Sequence, residues 1–288
     1  MRHVITLLFA PWLIPAAAAD ADKKAVTYMQ KDSLTVCRLL AEARQLPPTA
    51  CLQLFFARKF LGLPYVAHTL EINDDERLVV NTRQLDCTTL VENVTALTLC
   101  AQRRQTSWHD FLRTLAAMRY RDGKITDYTS RIHYFTEWIT ANSKEGIVSE
   151  VQAPNPPFSA VQSVSVSFMS THPNSYKALR QHPEYVAAIR KMERQVSGQR
   201  FRYIPKSGVR NHSQLRKAVK DGDIIAITCR KKGLDIAHLG FAVWREGKLH
   251  LLNASQLHGR VVEEPKILYD YLQEHPTHTG IRIIRINK

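Results

Sequence analysis

Three side chains that lie far apart in the sequence, Cys87, His238 and Asn253, have the types that nucleophilic catalysis by a thiol requires. A cysteine nucleophile needs a base that takes its proton, and the base needs a polar group that orients its ring. His238 follows Cys87 by 151 residues, and Asn253 follows His238 by 15. The residue types and their order therefore indicate acyl transfer through a cysteine, provided that the fold brings the three together.

The sequence around Cys87 predicts that this residue begins a helix. Asp86 is a good N-cap, whereas Thr89 and Glu92 form a capping-box pattern that would start the helix later. Both choices place Cys87 in the first turn, where the helix dipole and free N–H groups favour a thiolate. Apolar residues recur three, four and seven positions after Cys87, so its side chain should point along the buried stripe. A buried structural cysteine is the alternative for an isolated thiol.

The other two residues are predicted to lie on one hairpin. Residues 236–243 and 248–254 both have the composition of strands, with a tight turn between them. Antiparallel pairing then places His238 and Asn253 on the same face and His250 on the opposite one. An asparagine oxygen there could hold the imidazole. The order and spacing match those of papain. For each residue considered alone, the alternative is a structural role: His238 would be a core histidine, and Asn253 a turn residue at the end of a strand.

The remaining elements give the fold class. Helical periodicity dominates the first two thirds of the chain, and branched residues in alternation dominate the last third. This distribution predicts an α+β fold in which an antiparallel sheet packs against the Cys87 helix, preceded by an N-terminal helical portion. The predicted helices are 20–63, 87–103, 108–118, 128–140 and 182–196, and the predicted strands are 161–168, 223–229, 237–244, 248–254 and 280–286. Residues 70–80 alternate weakly and could hold a strand edge.

The N-terminus indicates export. One arginine, a short apolar run and four alanines make residues 1–19 a signal peptide, with cleavage expected after Ala19. An uncleaved anchor is the alternative. Residues 20–288 are predicted to form a single soluble domain that is secreted or periplasmic.

The chain has five cysteines, an odd number, so at least one is unpaired. Cys37 and Cys51 could close a disulfide in an oxidising compartment, or could be two separate thiols. Neither Cys-x-x-Cys nor His-x-x-x-His occurs at the spacing of a structural zinc site, so the sequence predicts no metal site and no cofactor.

The charge is unevenly distributed. The chain carries a formal net charge of +14, and the segment Lys177–Lys232 has 15 Lys and Arg against 4 Asp and Glu. An anionic partner such as nucleic acid, cell-wall polymer or a membrane surface would fit, and a merely solvated basic surface is the alternative. There is no recognisable motif for a specific nucleic-acid site.

Several motifs resemble those of a known superfamily. Asp86-Cys87-Thr88-Thr89-Leu90-Val91 resembles the cysteine motif of the NlpC-type cysteine peptidases, Leu61-Gly62-Leu63-Pro64-Tyr65 their Gly-x-Pro-Tyr motif, and Ala237-His238-Leu239-Gly240 their His-x-Gly strand. From about residue 55 onward the chain is similar to one branch, the N-acetylmuramoyl-L-alanine amidases. The segments typical of that branch are 120–123, 131–135 and 233–238. Where the superfamily often has histidine as the third polar residue of the site, this chain has Asn253.

The resemblance implies a papain-like fold and a cysteine amidase that cleaves muropeptides, the soluble fragments of peptidoglycan, between muramic acid and L-alanine. It implies that the Tyr65 hydroxyl helps to bind the oxyanion, with support from Asp86. It also implies that Arg131, His133, Tyr134 and Asp235 line the substrate site, although the first three could equally form one face of a surface helix. A stem-peptide endopeptidase and a non-enzymatic polymer-binding protein remain the alternatives.

Overall fold

The computed structural model describes residues 26–210 and 213–288. The predicted signal peptide, residues 1–19, lies outside the described residues. Among the residues that are described, no helix combines the length and the apolar character needed to cross a bilayer.

The first half of the chain is mainly helical. The helices there bury apolar stripes against one another, because leucine, valine and phenylalanine recur at helical spacing. They are α1 (Gln30–Ala43), α2 (Leu52–Lys59), α3 (Cys87–Gln102), α4 (Trp108–Arg119) and α5 (Phe135–Lys144). Two short strands, β1 (Val26–Thr27) and β2 (Leu78–Val79), form a small parallel pair.

The second half builds a sheet of eight strands in which every pair is antiparallel. The strands are β3 (Val148–Val151), β4 (Ala160–Ser163), β5 (Arg200–Pro205), β6 (Ile224–Cys229), β7 (Ile236–Arg245), β8 (Lys248–Ser255), β9 (Arg260–Glu263) and β10 (His278–Ile286). Their order is β4-β5-β10-β6-β7-β8-β9, and β3 also pairs with β10. The helices between and after them are α6 (Phe168–Thr171), α7 (Lys177–Gln181), α8 (Tyr185–Val196), α9 (Ser213–Ala218) and α10 (Leu268–Gln273).

Helix α3 is the most deeply buried helix and packs against one face of the sheet. Its residues Leu90, Val91 and Val94 share a core with Phe241 of β7 and Leu252 of β8. Each such side chain contributes about 1.5–3 kcal/mol when it is removed from water. This core fixes the first turn of α3 against the start of β7, which is where Cys87 and His238 lie.

These elements confirm a mixed α/β chain with a large antiparallel sheet, and in the hairpin of β7 and β8 Arg245 pairs with Lys248. Other boundaries were wrong. The strand predicted for 161–168 ends at Ser163, whereas the segment 70–80 does hold a strand edge, Leu78–Val79. The segment 128–140 is not one helix, because α5 begins only at Phe135. Sequence periodicity also missed the short strands β3, β5 and β9.

All five cysteines are free thiols, so Cys37 and Cys51 are not bridged. Cys51 instead lies against the Asp221 carbonyl, with Sγ 3.6 Å from that oxygen. Cys37 and Cys51 are therefore two separate thiols, which was the alternative to a disulfide.

Candidate functional site

Cys87 is the first residue of α3, and the backbone there is closed by a reciprocal cap. The Asp86 carboxylate accepts a hydrogen bond from the Thr89 N–H at 2.8 Å, and the Asp86 N–H donates to the Thr89 hydroxyl at 2.9 Å. Asp86 is therefore the N-cap, and the alternative start based on Glu92 was wrong. Glu92 is instead buried in an ion pair with Arg119, with 2.7 Å between Oε2 and Nε.

The protonation state of Cys87 differs from the expectation of a stabilised thiolate. Because the thiol is largely surrounded by protein, burial raises the pKa of Cys87 to about 12, and the neighbouring Asp86 carboxylate adds to this increase. Backbone amides of Leu239 and Thr88 lower the pKa by less. The helix start therefore does not ionise the thiol in the resting structure. Any attack through sulfur needs a base in place.

His238 of β7 lies in the same cleft as Cys87, and it is held by Asn253 of β8. The Asn253 oxygen is 2.9 Å from Nε2 of His238. Burial lowers the pKa of His238, while the hydrogen bond to Asn253 opposes that decrease. The imidazole is therefore mostly neutral near pH 7, which is the form that can accept a proton. The structure brings together the three residues that the sequence singled out.

A fourth residue of this network, Glu264, was missed by sequence reasoning. The Asn253 amide nitrogen donates to Oε1 of Glu264 at 3.0 Å, and Oε2 of Glu264 lies 3.1 Å from Nε2 of His258. Both Asn253 and Glu264 are buried. A carboxylate only accepts hydrogen bonds, so it fixes the amide with its oxygen toward His238. The sequence signal was weak, since Glu264 follows a short strand with no motif around it.

The start of β7 carries an irregularity beside His238. His238 pairs with Ile227 and Ile236 pairs with Thr228, so Ala237 is an extra residue that has no partner in β6. Bulges of this kind are frequent next to functional sites, where they re-aim a side chain. Two residues after His238, a Cβ at Gly240 would lie 2.6 Å from the Leu252 carbonyl oxygen. The glycine therefore allows β8 to approach closely enough for the contact between Asn253 and His238.

Tyr65 lines the cleft close to Cys87. Its N–H donates to the Gly259 carbonyl at 2.9 Å, which anchors the residue to the β8–β9 turn. Burial raises the pKa of Tyr65, and the nearby Cys87 and Asp86 raise it further. The phenol therefore stays protonated and can act as a hydrogen-bond donor close to the thiol.

Arg131 and His133 line the cleft, as expected, but neither lies on a helix. Arg131 is bracketed by two carboxylates, with Nε 3.5 Å from Glu76 and Nη2 3.6 Å from Glu71. Burial lowers its pKa, but Glu76 and other neighbours raise the pKa by more, so the guanidinium stays charged. His133 Nε2 lies 2.9 Å from the Tyr128 carbonyl, and burial lowers the pKa of this imidazole well below its usual value.

Tyr134 and Asp235 also face the cleft, and each has structural partners. The Tyr134 hydroxyl donates to Glu193 at 2.8 Å. The Asp235 carboxylate accepts from the Thr136 N–H at 2.7 Å, at the start of α5. These polar groups therefore shape the cleft wall and hold the beginning of β7 in place.

The cleft has a volume of about 420 Å³, enough for a sugar or a short peptide. Tyr128, Phe135 and Tyr176 are among the aromatic residues that line it. Within residues 26–210 and 213–288, no group of three or more histidine, cysteine or acidic side chains is arranged to hold a metal ion. The basic segment Lys177–Lys232 runs through α7, α8, β5, α9 and β6, and Lys177 is paired with Asp74 at 2.9 Å.

Comparison with known families gives one match that covers most of the chain. A family model described as AmiA-like, N-acetylmuramoyl-L-alanine amidase-like, matches residues 55–281. This range contains all of the residues of the candidate site. Comparison with curated proteins finds no match.

Solved structures give closer similarities. An N-acetylmuramoyl-L-alanine amidase from Bacteroides uniformis is 42% identical, with a TM-score of 0.77 over 82% of this chain and 98% of that one. A Bacteroides fragilis protein provisionally described as a xylanase is also 42% identical, with a TM-score of 0.75 over 80% of this chain and 99% of that one. A Legionella pneumophila protein assigned to a family of unknown function shares the fold at 21% identity, with a TM-score of 0.68 over 90% of this chain and 95% of that one.

Proposed function

Because the chain belongs to the AmiA-like, N-acetylmuramoyl-L-alanine amidase-like family, we propose that it is a cysteine amidase of muropeptides with a papain-like, NlpC-type active site. The bond that it cleaves is the amide between the lactyl group of muramic acid and L-alanine. One observation carries the proposal: Cys87 at a helix start and the hydrogen-bonded pair His238 and Asn253 open onto the same cleft.

In the first step His238 takes the proton of the Cys87 thiol while the sulfur attacks the lactyl carbonyl carbon. The contact between Nε2 and Asn253 leaves Nδ1 as the basic atom of the ring. A resting thiol with a pKa of about 12 makes this proton transfer part of the attack. Negative charge then develops on the carbonyl oxygen, where the Cys87 N–H and the Tyr65 hydroxyl can donate hydrogen bonds.

In the second step the imidazolium gives its proton to the nitrogen of L-alanine, and the C–N bond breaks. The free amine departs, and the acyl group remains on sulfur as a thioester. Water then attacks the thioester, with His238 accepting its proton and returning it to the sulfur. The products are a muramic acid carboxylate and a peptide amine, and the thiol is regenerated.

The partners follow from the same chemistry. Muropeptides are the substrate class, and the predicted signal peptide of residues 1–19 would bring the protein to the periplasm or the exterior, where they are found. The basic segment Lys177–Lys232 would favour anionic cell-wall polymer or membrane surface nearby.

Glycoside hydrolysis, as the description of the Bacteroides fragilis relative would suggest, is a weaker interpretation of this cleft. Glycosidases use a pair of carboxyl groups that act directly on the sugar bond. The acidic residues that line the cleft are otherwise engaged: Asp86 caps α3, Asp235 binds the Thr136 N–H, and Glu71 lies 3.6 Å from Arg131. A thiol beside a held imidazole fits acyl transfer better.

The test is incubation of the purified protein with N-acetylmuramoyl-L-alanine and with longer muropeptides, followed by mass spectrometry. We expect N-acetylmuramic acid together with L-alanine, or with a stem peptide that has a free L-alanine amine, and both products should be lost in Cys87→Ala. Cys37→Ala, which changes a thiol outside the cleft, is the matched control. Cuts within the stem peptide would instead indicate an endopeptidase. The absence of any product, with polymer binding unaffected by Cys87→Ala, would indicate a binding protein. Activity that survives Cys87→Ala would refute the cysteine mechanism.

A further inference from the structure

A second cavity lies on the other side of His238 from the main cleft. It has a volume of about 410 Å³ and shares only Ala237 and His238 with the cleft. Its other walls come from the turn between β8 and β9, from α10 and from the start of β10. The lining residues are Ser255, Gln256, Leu257, Tyr271, His275 and His278. No step of the mechanism above uses this space.

We propose that this second cavity binds the peptide part of the leaving group, namely the stem residues that follow L-alanine. The proposal rests on the proposed amidase function. In acyl transfer the acyl group stays on sulfur, while the leaving amine must reach the imidazole that protonates it. The cleft contains Cys87 and its neighbours, whereas the second cavity contains His238 but not Cys87. The peptide should therefore extend past His238 and away from the sulfur.

The walls of the second cavity suit peptide groups. His275 and His278 stack with ring centroids 4.6 Å apart and planes within 9°, and His275 Nδ1 is 2.7 Å from the Tyr271 carbonyl. Burial lowers the pKa of His278 to about 4, so this ring is neutral near pH 7. Neutral imidazole, phenol, amide and hydroxyl groups donate and accept hydrogen bonds in the manner that peptide amides require.

The rim of the second cavity carries an exposed apolar side chain. At the rim, Leu257 leaves 80% of its surface exposed, the largest such value among the apolar side chains described. An apolar side chain held on a tight turn beside a polar cavity can pack against the alkyl chains of the stem residues that follow L-alanine.

Charge complements this assignment. Lys206 donates from Nζ to the carbonyl of His275, a lining residue, at 3.0 Å, and its ammonium would favour the carboxylates of a stem peptide. The main cleft has a different character, with the rings of Tyr128, Phe135 and Tyr176 on its wall. Flat apolar rings with polar edges suit a sugar better than an acidic peptide. The main cleft would therefore bind the sugar and the second cavity the stem peptide, on either side of the amide bond that is cleaved.

The experiment compares kcat/KM for three substrates: muramoyl-L-alanine, the same sugar carrying a tripeptide, and a disaccharide carrying only L-alanine. The variants are Gln256→Ala/Leu257→Ala and His275→Ala. Leu34→Ala, which trims another highly exposed leucine on α1, is the matched control. We expect the variants to lower the ratio of tripeptide to single-residue substrate by about tenfold, the size expected when a few contacts to one substrate are lost. The ratio of disaccharide to monosaccharide should not change.

An unchanged tripeptide ratio would overturn the subsite while leaving the amidase function intact. A change in the ratio of disaccharide to monosaccharide substrate would also overturn the subsite, since the second cavity would then bind the glycan. If no substrate is cleaved, the amidase function itself fails. Calorimetry of the free tripeptide with Cys87→Ala protein then tests the subsite. If the second cavity binds the peptide, adding His275→Ala must weaken tripeptide binding, and adding Leu34→Ala must not.

Discussion

Asn253 donates its amide nitrogen to Glu264 at 3.0 Å, and this hydrogen bond determines which end of the amide faces His238. If the amide turned over, its oxygen would face a carboxylate and its nitrogen would face the imidazole. The buried carboxylate therefore selects one orientation of the side chain that holds the base. In the proposed mechanism, Glu264 would act through Asn253 as a positioning residue.

Replacing Glu264 with glutamine should lower kcat by about tenfold, because a glutamine can accept or donate and no longer fixes the Asn253 amide. It should also move the acidic limb of the kcat/KM profile to lower pH. Glu264 raises the pKa of His238, so removing its charge keeps the imidazole neutral to lower pH. Glu263→Gln, at the neighbouring and more exposed carboxylate, is the control. A reduced kcat with an unshifted profile would mean that Glu264 supports the fold only.

Activity of the unaltered enzyme should fall as the pH decreases through a value below 6.5, because burial lowers the pKa of His238 and only neutral imidazole can take the proton. No loss should occur between pH 7 and pH 8. The measurement is kcat/KM against pH at constant ionic strength. A limb above pH 7 would contradict the buried, neutral histidine.

Cys87 should react slowly with iodoacetamide near neutral pH and faster as the pH rises, because its pKa of about 12 leaves little thiolate. Peptide mapping by mass spectrometry separates Cys87 from the four other thiols, which serve as internal references. A rate that is constant between pH 5 and pH 8 would instead reveal a preformed ion pair with His238.

Tyr65→Phe should reduce kcat by about 10²–10³-fold if the phenol donates to the oxyanion, the loss usual for one such donor. KM should change little, since the contact forms mainly in the transition state. Tyr28→Phe, on an exposed tyrosine near the N-terminus, is the matched control. Equal effects of both variants would remove Tyr65 from the mechanism.

The buried pair of Arg119 and Glu92 gives a stability prediction. Arg119→Met should lower the free energy of unfolding by about 3–5 kcal/mol, because it leaves the Glu92 carboxylate unpaired under the helices. Arg113→Met, on the same helix in an exposed pair with Asp110, should cost less than about 1 kcal/mol. Adding Glu92→Leu should recover much of the loss. Urea denaturation measures all three, and a similar cost for both arginines would contradict this account.

The hairpin of the site could be predicted from sequence because one turn sets the whole register. Once Arg245 pairs with Lys248, alternation places His238 and Asn253 on one face. The start of α3 was predictable for a similar reason, since a cap is a local signal. Glu264 was not, because its contact depends on β9, a strand too short to show a pattern. The second cavity joins the turn after β8 to α10 and β10, and no local signal relates these segments.

The unpaired Ala237 has a consequence for insertions and deletions near the site. In a regular strand, residues separated by two positions point to the same face, so Ile236 and His238 would do so. The extra residue reverses this parity, because His238 pairs with Ile227 and Ile236 pairs with the adjacent Thr228. Deleting one amino acid from this segment would therefore move the side chains upstream of His238 to the opposite face of the strand. Almost any replacement of Ala237 would leave those side chains on their present face. We expect the length of this segment to tolerate less variation than its composition.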